Sequence, residues 1–310
     1  MKAVRIHAFG DASTLTYEEV PMPEPAPGEV RVRVHAAGVN PVDWKVRNGS
    51  LRQVIHQNLP IALGWDVSGV VDAVGEGVET LAVGDAVYVT DISHSGASSE
   101  YMVTRPSKLA RKPLSLSHTQ AAALPLAALT AWSSLFDYGE LKAGQKVLIH
   151  AGAGGVGSFA VQLARWAGAE VIATGSGHNE ALVRDLGADV FVNYREQRFE
   201  EVVGDVDLVF DTIGGDTQTR SVRTLKPGGR LVSVVSTPDS EALAEVKATG
   251  SYAVVRPGTE RLDALTALID NGELRVVLDS VFPLERAKEA HLKSESGRAR
   301  GKIVLEVVPS

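Results

Sequence analysis

The distribution of hydrophobic and polar positions changes near residue 124. Before that point the chain contains short segments separated by frequent Gly and Pro. Residues 30–34 alternate apolar and polar positions, and residues 69–74 and 86–90 are further Val-rich runs. Alternation at period two, bounded by turn residues, is typical of half-buried strands. Several short strands in succession predict a partly closed β-barrel.

After residue 124, strand-like and helix-like segments alternate. Helices are predicted over residues 124–136, 158–166 and 263–269, and strands over residues 147–149, 171–174, 190–193, 208–210 and 231–235. This alternation predicts a parallel, doubly wound sheet. Farther on, strands predicted over residues 275–278 and 302–308 flank a helix over residues 285–292, and all three are expected to return to the first domain.

We therefore expect an α/β protein of two domains, one formed by residues 1–122 and 273–310 and the other by residues 123–272. The 310 residues, 44% of them hydrophobic and 22% charged, suit a folded protein with a large core.

The most apolar stretch, residues 121–131, contains Pro125 and is shorter than the roughly 18 residues of a membrane helix. Because the first six residues resemble a strand and not a signal sequence, we expect a cytoplasmic location.

Charge and composition argue against further classes of function. The net charge of -7 disfavours a nucleic-acid partner, since phosphate binding depends on clustered Lys and Arg. The chain has no Cys, which excludes disulfides and thiolate-bound zinc. Its eight histidines lack compact ligand spacing, and we predict no bound metal. These histidines are His7, His35, His56, His94, His118, His150, His178 and His291.

Candidate chemistry begins at residues 150–157, which are HAGAGGVG. Gly152, Gly154 and Gly157 form a Gly-x-Gly-x-x-Gly motif that follows a short apolar strand and begins a helix, as a dinucleotide-binding turn requires. In such a turn the first glycine permits the bend, the second lets the backbone approach a pyrophosphate, and the third lets helix and strand pack. We predict a dinucleotide site here that also includes Gly155 and Val156.

The segment after the second strand of this region indicates which dinucleotide binds. An NAD site normally has Asp or Glu there to hold the ribose hydroxyls. Residues 174–179 are TGSGHN, and the first acid is Glu180. A 2′-phosphate would meet hydroxyl, amide and imidazole groups instead, so NADPH is favoured over NADH. The cofactor residues predicted here are Thr174, Ser176 and His178, with Tyr194 and Arg195 as further candidates for the adenine and the phosphate.

A set of motifs extends over nearly the whole chain. It comprises residues 40–43 (NPVD), 64–66 (GWD), 124–132 (LPLAALTAW), the glycine motif, 211–214 (DTIG) and 301–305 (GKIVL). In content and order these motifs resemble the quinone oxidoreductase branch of the medium-chain dehydrogenase/reductases. The resemblance implies a GroES-like β-barrel domain followed by a Rossmann domain, with NADPH and substrate in the cleft between them. It also implies a homodimer or homotetramer.

The same resemblance implies roles for individual residues. Asn40 is expected near the nicotinamide, where its amide could orient the cofactor or the acceptor oxygen, with Thr130 beside it; these two are the predicted catalytic residues and also cofactor contacts. Further nicotinamide contacts are expected from loops at strand ends, namely Ile213, Val235, Ser236 and Val254. Structural roles are expected for Asp43 and Arg47, in a turn after the strand at residues 30–34, and a solvated turn for the basic run Arg298, Arg300 and Lys302.

Departures from the wider superfamily narrow the chemistry. Zinc-dependent alcohol dehydrogenases resemble this chain around Asn40 and Trp65, but they carry metal-binding Cys and His there. Without that Lewis acid, hydride transfer needs an acceptor that spreads the developing negative charge, as quinones and α,β-unsaturated carbonyls do. We therefore expect a zinc-independent, NADPH-dependent reductase of quinones or related conjugated carbonyl compounds.

Two alternatives stay open at this point. An NADPH-dependent enoyl or alkenal reductase shares the fold, the cofactor and the hydride chemistry, and a non-enzymatic NADPH-binding protein is a more distant possibility. The loops at residues 48–60 and 91–99 are expected to determine which acceptor is used.

Overall fold

The computed structural model describes residues 1–53, 58–91, 96–255 and 257–308. The strands are β1 (Lys2–Ile6), β2 (Leu15–Glu19), β3 (Val30–Val39), β4 (Ile61–Ala62), β5 (Asp66–Val74), β6 (Ala86–Thr90), β7 (Tyr101–Thr104), β8 (Ala110–Arg111), β9 (Lys146–Ile149), β10 (Glu170–Gly175), β11 (Val190–Asn193), β12 (Val206–Asp211), β13 (Leu225–Ser233), β14 (Thr249–Tyr252), β15 (Leu278–Pro283) and β16 (Lys302–Glu306).

The helices are α1 (Pro41–Arg47), α2 (His118–Ala122), α3 (Pro125–Trp132), α4 (Gly157–Trp166), α5 (Glu180–Asp185), α6 (Phe199–Val202), α7 (Gly215–Ser221), α8 (Ser240–Glu245), α9 (Thr259–Asp270) and α10 (Ala287–Glu295). A π-helical segment, Ser133–Tyr138, continues α3. None of the helices in the described part of the chain has the length and apolar character needed to cross a membrane.

The chain separates into two compact units. The first contains Met1–Leu126, Pro257–Gly272 and Val276–Ser310, and the second contains Ala127–Arg256 and Glu273–Arg275. The chain thus passes from the first unit to the second within α3 and returns to the first unit at Pro257, so α9 belongs to the first unit.

The first unit is built on a mostly antiparallel sheet of seven strands. Their order is β15-β16-β3-β5-β6-β8, with β7 paired to β3. A separate three-stranded sheet has the order β2-β1-β4. Val32 and Val34 of β3 pack in the hydrophobic core with Val67 of β5 and Leu305 of β16. The strand β3 therefore lies at the centre of this unit.

The strand β3 extends five residues beyond the alternating segment 30–34. Its second half, Ala36–Val39, is buried on both faces, so the alternation that marks a half-exposed strand ends there. The helix α2 covers this half closely: a Cβ at Gly38 would come within 3.0 Å of the Ala122 carbonyl oxygen. Small residues in the sequence at these positions allow the helix to pack against the strand.

One predicted strand is displaced. Residues 275–277 are not a strand, and β15 begins only at Leu278. The backbone of Arg275 is bonded to a side chain instead: its N–H donates to Gln162 Oε1 (2.9 Å), and its carbonyl accepts from Gln162 Nε2 (3.1 Å). Pairing with β16 starts at Leu278 opposite Lys302. The predicted helix that follows is present as α10.

The second unit contains a six-stranded parallel sheet in the order β11-β10-β9-β12-β13-β14. The predicted parallel, doubly wound sheet is therefore confirmed. The chain runs outward from β9 through β10 to β11 and then resumes on the other side of β9 with β12. This reversal of direction leaves a crevice at the carboxyl ends of β9 and β12, where such sheets bind ligands. Leu148, Ile172, Val209 and Leu231 form the core of the sheet.

Candidate nucleotide-binding and active site

The glycine motif forms the connection between β9 and α4, at the point where the strand order reverses. The left-handed residue of this turn is Ala151, with φ of 52°, and not Gly152. A Cβ at Gly152 would lie 2.9 Å from Ala173 Cβ and 3.2 Å from Val183 Cγ1. The first glycine is therefore required for close packing against β10 and α5, and the bend itself comes from its neighbour.

The other two glycines of the motif have different surroundings. A Cβ at Gly157 would come closer than 3.0 Å to the Ala151 carbonyl oxygen, so only glycine fits between the helix start and the turn. At Gly154 the described protein atoms near a Cβ all belong to Ala151, at 3.2 Å and 3.9 Å. The space beyond Gly154 is thus left for a ligand, beside the first backbone N–H groups of α4. Gly155 and Val156 complete the turn and precede α4 directly.

A buried histidine holds this turn to the next strand. His150 Nε2 donates to Ser221 Oγ (2.8 Å), because the Ser221 hydroxyl hydrogen is given to the Thr217 carbonyl (2.7 Å). His150 Nδ1 therefore accepts from Thr174 Oγ1 (3.1 Å), which in turn accepts from the Ala151 N–H (3.3 Å). Burial lowers the pKa of His150 to about 4, so the ring is neutral at pH 7.

This arrangement restricts one predicted cofactor residue. The single hydroxyl hydrogen of Thr174 is donated to His150, so none is left for a phosphate oxygen. A cofactor contact at Thr174 would have to use its oxygen as an acceptor. The role that the geometry gives to Thr174 is to tie the glycine turn to the end of β10.

The tip after β10 carries the other predicted determinants of cofactor choice. Ser176 follows β10 directly and accepts from Asn179 Nδ2 (3.2 Å), while Asn179 Oδ1 is buried without a hydrogen-bond partner among the described residues. An unpartnered buried oxygen beside a hydroxyl fits a polar ligand better than a closed protein surface. His178 is exposed at the same tip. The first acid, Glu180, is paired with Arg184 (2.8 Å) on α5.

Tyr194 lies after β11, next to this tip. Its backbone N–H donates to the Gly175 carbonyl (3.2 Å), the residue is 56% exposed, and the Arg195 guanidinium lies 5.9 Å from the ring centroid. An exposed ring with a cation beside it is suited to stacking on an aromatic base. The structure thus brings Tyr194 and Ser176 to the same edge of the sheet.

Asp211, which the sequence analysis named only as part of the motif 211–214, organises the carboxyl ends of β12 and β13. Its Oδ1 accepts from the backbone N–H groups of Ile213 and Gly214 (both 2.9 Å), and its Oδ2 accepts from Gln218 Nε2 (2.9 Å) and Ser233 Oγ (2.8 Å). An acid that directly ends an apolar strand and precedes a Gly-Gly turn is the signal that could have identified it.

Three of the expected nicotinamide contacts lie together at these strand ends. Ser233 Oγ accepts from the N–H groups of Val235 (3.1 Å) and Ser236 (3.4 Å). A Cβ at Gly214 would lie 2.8 Å from Val235 Cγ1, so the loop carrying Ile213 packs against Val235. The side chains of Ile213 and Val235 are nevertheless exposed by 51% and 40%, as an apolar surface awaiting a ligand would be. Val254 is exposed on the loop after β14.

The two predicted catalytic residues belong to different units. Thr130 lies in the second unit, buried on α3, three residues before the π-helical segment begins. Asn40 lies in the first unit, between the end of β3 and the start of α1. The segment after β3 is therefore a helix and not the turn that the sequence suggested.

Asp43 and Arg47 have the structural roles expected of them. Asp43 Oδ2 accepts from the Asn40 N–H (2.7 Å) and so caps α1. Arg47 is fully buried; its Nη2 donates to Glu295 Oε2 on α10 (2.9 Å) and its Nε to the Gly10 carbonyl (3.2 Å). Both residues thus fix α1 within the first unit.

The Asn40 side chain is held by two buried charged groups. Its Nδ2 donates to Asp66 Oδ2 (2.9 Å), and its Oδ1 accepts from Lys302 Nζ. Burial raises the pKa of Asp43 to about 7, raises the pKa of Asp66 and lowers the pKa of Lys302. Lys302 was expected in a solvated turn with Arg298 and Arg300, which is wrong for this residue: it begins β16 and is only 3% exposed.

In the described part of the chain, no group of three or more His, Cys, Asp or Glu side chains is arranged to hold a metal ion. His56 and His94 lie outside the described residues, as do the central parts of both loops expected to choose the acceptor. Trp65, at the position of a zinc ligand in related dehydrogenases, is half-buried.

Two family models match the chain, one in each half. Residues 26–114 match the alcohol dehydrogenase GroES-like domain, and residues 186–305 match a family described as zinc-binding dehydrogenase. The chain itself has no Cys. The first match confirms the predicted GroES-like domain.

Individual proteins match over nearly the whole chain. NAD(P)H oxidoreductase RTN4IP1, mitochondrial, from Homo sapiens is 36% identical, with 91% of this chain and 82% of that protein covered. The NADPH-dependent alkenal/one oxidoreductase, chloroplastic, from Arabidopsis thaliana is 34% identical, with 100% and 80% covered. These names give mitochondrial and chloroplastic locations, so the cytoplasmic location stays a prediction.

Two solved structures have the same fold. The quinone oxidoreductase from Coxiella burnetii superposes with a TM-score of 0.94 at 37% identity, with 99% of both chains covered. The Escherichia coli quinone oxidoreductase complexed with NADPH superposes with a TM-score of 0.91 at 30% identity, with 99% of this chain and 100% of that chain covered. The chain therefore belongs to the quinone oxidoreductase branch of the medium-chain dehydrogenase/reductase superfamily and is an NAD(P)H oxidoreductase.

Proposed function

We propose that this protein is a zinc-independent reductase that uses NADPH to reduce quinones or related electron-poor conjugated carbonyl compounds. The observation that carries the proposal is the glycine turn after β9, with ligand space at Gly154, in a chain similar throughout to quinone oxidoreductases. When bound, NADPH supplies a hydride for the acceptor.

The residues at the carboxyl edge of the parallel sheet suit NADPH. The pyrophosphate would lie against Gly154 and the start of α4, where backbone N–H groups favour negative charge. Ser176 offers a hydroxyl hydrogen to a 2′-phosphate oxygen at the tip after β10, because its oxygen accepts from Asn179 Nδ2, and the first acid, Glu180, is paired with Arg184. Ile213 and Val235 offer an apolar surface at the ends of β12 and β13. This set supports NADPH over NADH.

The choice of acceptor follows from the groups that this chain provides. No thiolate ligand for a metal exists in the sequence, and the buried groups around Asn40 are an amide, two carboxyls and an ammonium. Such a site can orient a carbonyl oxygen and donate a hydrogen bond to it, which is sufficient when the substrate delocalises its own charge. A quinone or an enone is a substrate of this kind.

A second candidate is an NADPH-dependent reductase of alkenals or enones. The observation that favours it is the similarity to the Arabidopsis alkenal/one oxidoreductase. The chain is 34% identical to that protein and 37% identical to the Coxiella quinone oxidoreductase. The two candidates differ in acceptor and not in cofactor or fold.

The test is a screen of NADPH oxidation against quinones, enones and enoyl thioesters, with NADPH binding measured in parallel. Turnover of quinones supports the first candidate, and turnover of enones or thioesters alone supports the second. Binding of NADPH without turnover of any acceptor would contradict both and favour a non-enzymatic NADPH-binding protein.

We also propose the functional domains that the sequence predicted, residues 1–122 with 273–310 and residues 123–272; in the structure, residues 257–272, which contain α9, pack with the first unit. We further propose that the chain forms a homodimer or homotetramer. The strand β14 supports an assembly, because it ends the parallel sheet and Tyr252 on it is 46% exposed. Light scattering at several concentrations tests the oligomer, and a mass of one chain throughout would contradict it.

A further inference from the structure

The hydrogen bonds around Asn40 fix the orientation of its side-chain amide. That orientation determines which group Asn40 can offer to a ligand. Three neighbouring strand ends bring its members together. Val39 pairs with Ile303, which places Lys302 at the start of β16 opposite Asn40. On the other side of β3, Gly38 pairs with Asp66 at the start of β5. The positions of the three side chains are therefore fixed by sheet register.

Close packing makes this arrangement specific. A Cβ at Gly38 would lie 2.9 Å from Asp66 Cβ and 3.1 Å from Asp66 Oδ2, so the glycine leaves room for the carboxylate. Asp66 Oδ1 accepts from the Leu126 N–H (3.0 Å), which fixes the carboxylate plane and directs Oδ2 to Asn40. Lys302 Nζ lies 3.8 Å from Asp66 Oδ2 and also contacts the Val39 carbonyl (3.5 Å).

The chemistry of the partners assigns the two ends of the Asn40 amide. An ammonium has only donors and a carboxylate has only acceptors. Asn40 Oδ1 must therefore face Lys302, and Asn40 Nδ2 must face Asp66. A reversed amide would place an N–H against the ammonium and an oxygen against the carboxylate, which is unfavourable in a buried site.

We propose that Lys302 and Asp66 are positioning residues that lock the Asn40 amide, so that its second Nδ2 hydrogen is the donor it presents to a carbonyl oxygen of a ligand. The inference rests on the proposed function for the identity of that ligand. The carbonyl oxygen belongs either to the acceptor substrate or to the carboxamide of the nicotinamide. In both cases Asn40 acts as a donor, and the ammonium on its oxygen strengthens the N–H groups.

The decisive variant exchanges two side chains, N40D together with D66N. A carboxylate at position 40 can accept from Lys302 and from the new amide at position 66, while the oxygen of that amide keeps the Leu126 N–H. The charges and the packing are retained, but position 40 no longer has an N–H. We expect kcat or NADPH affinity to fall at least tenfold, with a thermal midpoint close to that of the wild type.

The pattern of loss identifies the source of the carbonyl oxygen. A lower kcat/KM for the acceptor with unchanged NADPH affinity indicates the substrate carbonyl, and a weaker NADPH affinity in a fluorescence titration indicates the carboxamide. Wild-type kcat, KM and NADPH affinity in a folded exchange variant would overturn the proposal.

A double-mutant cycle tests the positioning role. If Lys302 acts through Asn40, then Lys302→Met should have little further effect on kcat once Asn40→Ala is present, and Lys302→Arg should restore part of the loss. Multiplicative effects of the two substitutions would contradict positioning.

A measurement on the wild-type protein requires neither turnover nor a stable variant. With ¹⁵N-asparagine labelling, and with Asn40→Ala to assign the signals, the side-chain N–H groups of Asn40 should exchange with water much more slowly than those of an exposed asparagine, because Nδ2 donates to Asp66 in a buried site. Exchange as fast as that of an exposed asparagine would overturn the proposal even if quinone reduction is confirmed. Conversely, absence of all reductase activity together with slow exchange would remove the proposed function and leave the lock intact.

Discussion

Mild acid is predicted to destabilise the second unit through His150. The folded protein keeps this ring neutral, because burial lowers its pKa from 6.5 to about 4 and because Nδ1 accepts the Thr174 hydroxyl hydrogen. The unfolded chain takes up a proton near pH 6.5, whereas the folded chain does so only near pH 4. The stabilisation is therefore fully present above pH 6.5 and is lost progressively as the pH falls toward 4. At about 1.4 kcal/mol per pKa unit, the loss is about 3 kcal/mol.

The assay compares urea unfolding of the wild type and His150→Gln over this pH range. The glutamine Nε2 can keep the donor to Ser221 but cannot take up a proton, so the variant should show a shallower decline of the unfolding free energy with falling pH. Burial and the neighbouring Arg47 also lower the pKa of His291, so this residue contributes to the acid sensitivity of both proteins. The difference between the two proteins therefore isolates the contribution of His150. The reasoning is refuted if the His150 ring titrates near 6.5 by NMR, or if both proteins show the same slope.

Three further predictions concern the cofactor, the metal and the turn. Ser176→Asp should weaken NADPH binding at least tenfold, about 1.4 kcal/mol, because a carboxylate would repel the 2′-phosphate. Ser176→Asn has the same shape as Ser176→Asp without the charge and should weaken NADPH binding less. Equal effects of the two substitutions would argue against a 2′-phosphate at this position. Position 176 is the better place for this test than Gly175, because a Cβ at Gly175 would lie 2.9 Å from the Phe191 ring and would disturb the packing. Exhaustive chelation should leave activity unchanged, and zinc at one ion per chain by elemental analysis, lost together with activity, would contradict this. Gly157→Ala should lower stability by about 1–3 kcal/mol or more through overpacking against the Ala151 carbonyl, whereas Gly204→Ala, in open space, should change it by well under 1 kcal/mol; similar thermal midpoints would refute the packing role of Gly157.

The sequence allowed prediction of the elements whose environment is uniform along their length. The buried strands β9, β10 and β12 are continuous apolar runs, and the helix α4 follows its glycines directly, so all four were predictable. The strand β14 was not, because its four residues, TGSY, form a mostly exposed edge with no hydrophobic pattern. The extension of β3 was hidden for the opposite reason, since α2 buries its second half on both faces.

Within the site, the sequence indicated which residues are present but not which ones bond to each other. Thr174 was predictable as a residue at the end of a strand, but its engagement with His150 depends on contacts across three elements. Lys302 looked like one member of a basic run, and only the pairing of β16 with β3 shows that it is buried beside Asn40. Lys302 and Asn40 are 262 residues apart, and His150 and Thr174 are 24 residues apart. The local sequence pattern contains no information about such partners.

NADPH binding by Gly154→Val tests the central claim most directly. The backbone conformation at this position does not require glycine. The nearest atom to a Cβ is the Ala151 carbonyl oxygen at 3.2 Å, which has to move by only a small fraction of an ångström, so the variant should fold with a nearly unchanged circular dichroism spectrum. Its branched side chain would fill the space assigned to the pyrophosphate. The matched control is Gly204→Val, at an exposed glycine of the same unit where no described atom lies within 4 Å of a Cβ.

By calorimetric titration, we expect Gly204→Val to bind NADPH with wild-type affinity and Gly154→Val to show at least a hundredfold weaker binding, about 2.7 kcal/mol, together with loss of quinone reduction. If a folded Gly154→Val protein bound NADPH as tightly as the wild type, the cofactor would have to bind elsewhere, and the glycine turn would not be the nucleotide site.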